Sequence, residues 1–249
     1  MEEAKEIGVV CNARRKTGEG RQTRADILGH AVQLASREGL EALTIGRLAD
    51  ALALSKSGLF AHFGSKEELQ LATIEKASAL FGERVLRVGR RFEPGLPRLL
   101  AMLEAWLAYL EARVFQGGCF FAAASAEFDG RPGRVRESIE RRARSWLAAL
   151  AAEARKAMAR GQLARATDVE QLVFELHAVV HEANWALELL GDESALARSR
   201  TAVRTRLRAA ATDAARPVLA RLAASIVDDV RAVLGDEPAP AAAAAAPGR

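Results

Sequence analysis

Two cysteines, one tyrosine, three tryptophans and seven prolines are all that these residue types contribute to 249 positions. Cys11 and Cys119 stand far apart in unlike contexts, which argues against a disulfide framework and fits a reducing compartment. Aromatics make up 5% of the chain; with Ala, Leu, Arg and Glu dominating, that favours helices over strands. No 18-residue apolar run free of charge occurs, so no membrane span is expected. The first ten residues, MEEAKEIGVV, are acidic and lack a basic region ahead of a long apolar run, so they do not read as a signal peptide. A Gly-rich phosphate loop, a Ser/His/Asp set and a paired-carboxylate site are all missing, which argues against an enzyme, and no cofactor or metal is expected. The expectation is a soluble, cytoplasmic, all-α protein without repeats.

What is present is apolar substance and unevenly placed charge. Half the residues are hydrophobic, enough for a sizeable core, and the net charge is +4. Residues 11–66 hold nine Lys/Arg against five Asp/Glu, and residues 198–221 hold seven Arg against one Asp. Such blocks suit a polyanion or a solvated face, and for 198–221 the sequence decides neither.

In chain order, residues 1–20 have no period and read as a disordered arm whose Arg14-Arg15-Lys16 suits a minor groove. A helix is expected from Thr23, with Asp26 as capping partner, a stripe of Ile27, Leu28, Ala31, Leu34 and Ala35, and a stop at Gly39. Residues 44–69, TIGRLADALALSKSGLFAHFGSKEEL, are the most informative stretch. Ile45, Leu48, Ala49 and Leu52 recur at helical spacing. Ser55 then caps a second short helix, Lys56 to His62, held to the core by Leu59 and Phe63. Ser65-Lys66-Glu67-Glu68 forms a capping box for a long helix to about Arg91. Two short helices at a tight turn are the shape that places the second in a DNA major groove.

Beyond Pro94 the helices lengthen. An apolar face runs from Leu99 to Val114; Gly117-Gly118 breaks it. Cys119 opens a short helix to Phe128, and a long one follows Pro132 to about Arg160. Thr167-Asp168-Val169-Glu170 reads as another capping box, for a helix closed by Gly191, and Asp192 caps the next to about Arg208. A further helix follows Pro217, and EPAPAAAAAAPGR is a disordered tail. The expected domains are therefore 1–20 (arm), 21–81 (DNA-binding), 82–210 (a second helical domain), 211–235 (an extra helix) and 236–249 (tail).

On Thr44, Ile45, Leu48, Ala49, Leu54-Ser55-Lys56, Leu59-Phe60, His62-Phe63 and Ser65 to Leu69, residues 21–81 resemble the DNA-binding domain of the tetracycline-repressor (TetR) family. Two residues depart from its pattern: Ala53 replaces a turn glycine, and Phe60 a tyrosine, which removes a phosphate-binding hydroxyl. The resemblance implies an all-helical homodimer on a palindromic operator in double-stranded DNA, released by a small-molecule effector. Thr44 and Ser55, at helix starts, are candidate phosphate sites, with Lys56 and Lys66 for charge and His62 as a donor. Ser57, Gly58 and Ala61 leave room for base edges, and Phe60, at the family's tyrosine position, is a further candidate for the DNA contact.

In the second domain, Trp106, Cys119, Phe120, Phe121, Trp146, His177, His181 and Trp185 are candidates to line a pocket for a lipophilic effector. Leu172, Leu176, Val179, Val180, Ala183, Leu187 and Leu190 step by three and four, as a helix–helix seam does, and are candidates for the dimer interface. The alternatives are a redox or metal sensor using Cys119 or the i, i+4 pair His177/His181, a helical enzyme, or an interaction protein that does not bind DNA.

Overall fold

The computed structural model describes residues 24–235. Thr23, Cys11, the triplet Arg14-Arg15-Lys16 and the Ala/Pro tail lie outside them. Helix α1 (residues 24–38) turns Ile27, Leu28, Ala31, Leu34 and Ala35 inward. It ends at Gly39, with φ 95°, whose N–H donates to the Ala35 carbonyl at 3.0 Å. Helices α2 (Ile45–Leu52) and α3 (Lys56–Phe63) are capped by Thr44 and Ser55, whose hydroxyl oxygens accept the N–H groups of Arg47 and Gly58. Each cap satisfies a donor that the first turn of a helix cannot use internally.

Ala53, between α2 and α3, adopts the left-handed conformation, φ 52° and ψ 37°. That region costs an L-residue roughly 1–2 kcal/mol. Ala53→Gly is therefore expected to stabilise the fold by roughly 0.5–1 kcal/mol, since glycine's extra freedom when unfolded takes back part of the gain. Urea denaturation checks this, and a lower midpoint in the variant would refute it.

Helix α4 (Lys66–Phe81) passes into a π-helical turn, Gly82–Leu86, and a last α-turn, Arg87–Gly89. It therefore stops short of Arg91 and changes hydrogen-bond register on the way, which no residue pattern announces. Only half of its capping box forms. The Ser65 hydroxyl accepts the Glu68 N–H, but the Ser65 N–H donates to the Phe63 carbonyl and the Glu68 carboxylate pairs with Arg134. Arg134 is a cation, so it holds the carboxylate more strongly than a backbone N–H would.

Helix α5 (Leu96–Glu111) has Pro97, rather than Pro94, in its first turn, and thirteen of its sixteen residues are buried. A helix apolar all round belongs at the centre of a protein. Around it pack α7 (Arg134–Ala159), α8 (Val169–Leu190), α9 (Ser194–Ala210) and α10 (Arg216–Gly235). Helix α10 contributes Leu219, Ala223, Ile226 and Val230 to the core. The cap of α8 is Asp168, whose carboxylate accepts the Gln171 N–H, and not Thr167. Its partner in the expected box, Glu170, pairs with Arg155 instead. Asp192 accepts the Ser194 N–H at 3.0 Å at the start of α9. Among the described residues there is no strand beyond one isolated bridge, Leu163 to Ala211, and no helix is long and apolar enough to cross a membrane.

Arginines 198, 200, 204, 206 and 216 form ion pairs within the chain, with Asp192, Glu104 and Glu111, Glu104, Glu175 and Asp213 respectively. Most of the basic block at 198–221 is therefore internally neutralised and is not a free polyanion surface.

The short helix α6 (Phe120–Phe128) lies at the junction of the two halves of the chain. At its far end the Glu127 carboxylate accepts the N–H groups of Leu40 and Glu41 at 3.1 and 2.8 Å. On its near side Gln33 donates to the Val114 carbonyl at 2.9 Å and accepts the Gln116 N–H at 3.1 Å. Between them, a Cβ on Gly117 would lie 1.9 Å from the Ser36 carbonyl oxygen, so only glycine allows this approach.

Candidate nucleic-acid interface and effector cavity

Two residues anchor α3, and the rest of it faces out. Leu59 and Phe63 are buried, whereas Lys56, Ser57, Gly58, Phe60 and Ala61 are exposed and His62 is half-buried. The small outward side chains leave the backbone accessible along the exposed side. Phe60 is 57% exposed and Leu54, in the preceding turn, 46%. Exposed large apolar groups of this kind mark a contact surface. Leu54 was not among the sequence candidates, because a leucine before a helix ordinarily reads as core.

The cations of this surface are not equivalent. Lys66 Nζ lies 2.7 Å from Glu41, whose carboxyl it holds below its ordinary pKa. Arg47 is clamped by Glu38. Lys56 enters no ion pair among the described residues, and a Cβ on Gly46 would sit 3.8 Å from its Nζ, which places that ammonium beside the start of α2. Lys56 is thus the freer charge. Thr44 and Ser55 use their oxygens as caps but keep hydroxyl protons; that of Ser55 is free because Ser57 donates to it.

In the second half of the chain, α4, α5, α6, α7 and α8 enclose a cavity of about 350 Å³. Trp106, Cys119, Phe121, Trp146, His177 and His181 line it, joined by Phe81, Leu86, Ser125 and Arg142. The rings form a connected set: Phe81 meets Trp146 at 5.1 Å and Trp106 at 6.4 Å, the two indoles meet at 5.5 Å, and His177 stacks on His181 at 5.9 Å. Two candidates fall elsewhere. Phe120 is buried against Phe115, and Trp185 is on the outer surface, 46% exposed. Their positions follow from α6 and α8 each having two apolar sides, which a one-face reading cannot separate.

Burial and the neighbouring His181 lower the pKa of His177, so it is a neutral ring at pH 7. Burial pushes the Cys119 thiol up, against the pull of the Ala122 and Phe121 N–H groups and the Trp106 indole. A raised thiol pKa gives little thiolate, the opposite of what a redox-sensing cysteine needs. Among the described residues no three His, Cys, Asp or Glu are grouped as a metal site would require.

The apolar stripe of α8 has a different role from the one its spacing suggested. Leu172, Leu176, Val180, Ala183 and Leu187 are buried within the single chain, against its own core, with Leu176 and Ala183 also forming part of the floor of the α8–α9 grooves. Of the seven candidates only Val179, partly buried, and Leu190 reach the outside. The outward face carries instead Phe174, Ala178, His181, Trp185 and Leu189, also spaced by threes and fours. Phe174 and Leu189 are 68% and 67% exposed. Beside them runs a groove floored by small α9 residues, among them Ala197, Thr201, Ala202 and Thr205.

Comparison with known proteins agrees with this geometry. Residues 27–73 match the family model described as bacterial regulatory proteins, tetR family, and residues 95–203 match that of the tetracyclin repressor-like C-terminal domain. A curated relative, the HTH-type transcriptional regulator AcrR of Shigella flexneri, is 30% identical over 102 residues, which are 41% of this chain and 46% of that protein. The chain thus spans about half the length of that relative. A TetR transcriptional regulator from Chloroflexus aurantiacus superposes with a TM-score of 0.72 at 23% identity, over 78% of this chain and 98% of that one. A TetR-family regulator from Agrobacterium tumefaciens gives 0.66 at 20%, over 77% and 99%. At such identities the likeness to the solved structures is one of fold. The two family models together match more than half of the chain, and on that ground the chain belongs to the TetR family of bacterial regulatory proteins.

Proposed function

We propose that this chain is a cytoplasmic, non-enzymatic transcriptional repressor that binds a palindromic operator as a homodimer and leaves it when a small molecule fills the α4–α8 cavity. The observation that carries the reading is α3: a helix fixed by Leu59 and Phe63, presenting small side chains and an unpaired Lys56 outward. Two such helices must lie about 34–36 Å apart to enter successive major grooves. The exposed apolar face of α8 and the adjoining α9 groove supply a surface for the second copy, and so set that spacing. Effector and operator then oppose each other through one conformational equilibrium, each weakening the other's binding by the same factor. Glu127 and Gly117 are the contacts through which a change in the cavity wall would reach α1.

Fluorescence anisotropy with the DNA upstream of the gene, titrated at several salt concentrations, tests this. Binding to that DNA well above a scrambled duplex is expected. Lys56→Ala should weaken binding to all sequences and lower the slope of log affinity against log salt by about 1, as loss of one phosphate contact does. Lys66→Ala should lower it less, because Glu41 already shares its charge. No binding to any duplex at low salt would sink the reading.

A further inference from the structure

The chemistry of the cavity narrows what it holds. We propose that its occupant is an uncharged, flat, largely apolar molecule carrying a hydrogen-bond acceptor, of the aromatic ketone kind, which takes up the indole N–H of Trp146. The inference rests on the reading of this cavity as the effector site, and it adds the ligand's class.

Three observations support it. First, two lining residues carry buried donors without acceptors: Trp146 Nε1 and Trp106 Nε1 have no hydrogen-bond partner, nor has Tyr109 Oη, which lies outside the lining but packs on Phe81. The Trp106 indole N–H faces the Cys119 sulfur, a weak acceptor. Buried polar groups in folded proteins are nearly always satisfied, so an unsatisfied set needs an explanation. All three rings pack edge-on against Phe81, at 6.4, 5.6 and 5.1 Å for Trp106, Tyr109 and Trp146. Phe81, the last residue of α4 before its π-helical turn, is thus the ring that all three donor-bearing side chains share.

Second, no carboxylate lines the cavity. Aromatic walls attract cations through their π faces, but here the wall has no counter-charge and contains a guanidinium. Third, that guanidinium, Arg142, is engaged by Glu75, and His177 is neutral. The one guanidinium of the lining is thus already paired and is not free for an anion. A neutral molecule with an acceptor is the class that meets donors without needing a counter-ion. The cavity volume, about 350 Å³, lies at the small end of the usual range for such sites.

The test uses the full chain and four flat tricyclic probes of one size class: 9-fluorenone, fluorene, which has a methylene in place of the carbonyl, fluorene-9-carboxylate, and the 10-methylacridinium cation. Isothermal titration is expected to show fluorenone binding about tenfold more tightly than fluorene, the factor that one good neutral hydrogen bond supplies. The two ionic probes should bind more weakly than fluorenone. Trp146→Phe keeps the ring and removes the N–H, and should bring fluorenone to within about twofold of fluorene. If that variant does not fold by circular dichroism, the comparison of the four probes on the unaltered chain still decides.

Equal affinity for fluorenone and fluorene, tighter binding of either ion, or undiminished selectivity in folded Trp146→Phe overturns the inference. Failure of the wider reading looks different. Selective fluorenone binding that leaves operator affinity unchanged would uphold the ligand class and refute the effector role. Release from DNA by some other compound, with no fluorenone binding, would do the reverse.

Discussion

Replacing both Phe174 and Leu189 by glutamate is expected to separate the dimer into folded monomers. Each side chain is about two-thirds exposed in the single chain, so a charge there meets water and the fold is unaffected. In the proposed dimer the same positions are covered, and a carboxylate buried without a partner is strongly unfavourable. Central apolar contacts contribute roughly 2 kcal/mol or more each, and every position occurs twice in a symmetric interface. The dissociation constant should therefore rise by a factor of roughly 10³ or more. Operator affinity should fall with it, since a lone α3 reads only half a palindrome. Sedimentation velocity at micromolar concentration, with circular dichroism for the fold, decides; a double variant that stays dimeric removes this face from the interface. The contrasting substitution is Leu172→Ala, on the inward stripe and fully buried. It should leave association intact and cost the protomer about 2–5 kcal/mol by opening a cavity.

The second large effect is expected at Glu104. Its carboxylate is buried in the middle of α5, with its side chain 1% exposed, and accepts Arg200 Nε at 3.2 Å and an Arg204 guanidinium nitrogen at 2.9 Å. The cluster spreads outward from there. Arg204 also donates to the Ala223 carbonyl of α10, and Arg200 reaches Glu111, which takes Arg231 of α10 as well. For Glu111, burial pushes the carboxyl pKa up, but the two arginines outweigh it and the net shift is downward. A lowered carboxylate pKa stabilises the fold at neutral pH, and this contribution disappears as pH falls through the folded-state value.

Arg200→Ala with Arg204→Ala strands a buried charge, and should destabilise the protein by about 3–5 kcal/mol. For a domain of this size that is a fall in Tm of roughly 6–20 °C. Replacing Glu104, Arg200 and Arg204 together by methionine removes the charge with its partners, and should be close to neutral by the same reasoning. Thermal and urea unfolding of both variants check this. A double alanine variant as stable as the parent would mean that water already screens the carboxylate.

These two regions also show what residue patterns convey and where they stop. Helix ends were legible wherever a single residue has a local physical reason to be there: Ser55 as a cap, Gly39 and Gly191 at left-handed stops, whereas the box at 167–170 was placed one residue early. The reading helix was legible because Leu59 and Phe63 fix its buried side within four residues. Six of the eight cavity candidates line the cavity, since aromatics on helical faces converge when the helices enclose one space.

Patterns failed where the answer depended on distant chain. The stripe from Leu172 to Leu187 is a true apolar face, but periodicity cannot say whether a face meets its own core or a second copy. The arginines of 198–221 looked like free charge because the carboxylate that accepts Arg200 and Arg204 lies nearly a hundred positions earlier, at Glu104. The change of helical register after Phe81 went unread because nothing local marks it.

That change of register sets an angle. A π-helical turn holds one residue more than an α-turn, and one residue corresponds to roughly 100° of rotation about the helix axis. Leu69 and Ile74 before the turn and Val85 and Val88 after it are all buried. Gly82–Leu86 is the coupling between the two sets, and it fixes the angular phase at which one domain is presented to the other. In a two-fold pair, that phase is the pitch at which both reading heads meet the groove.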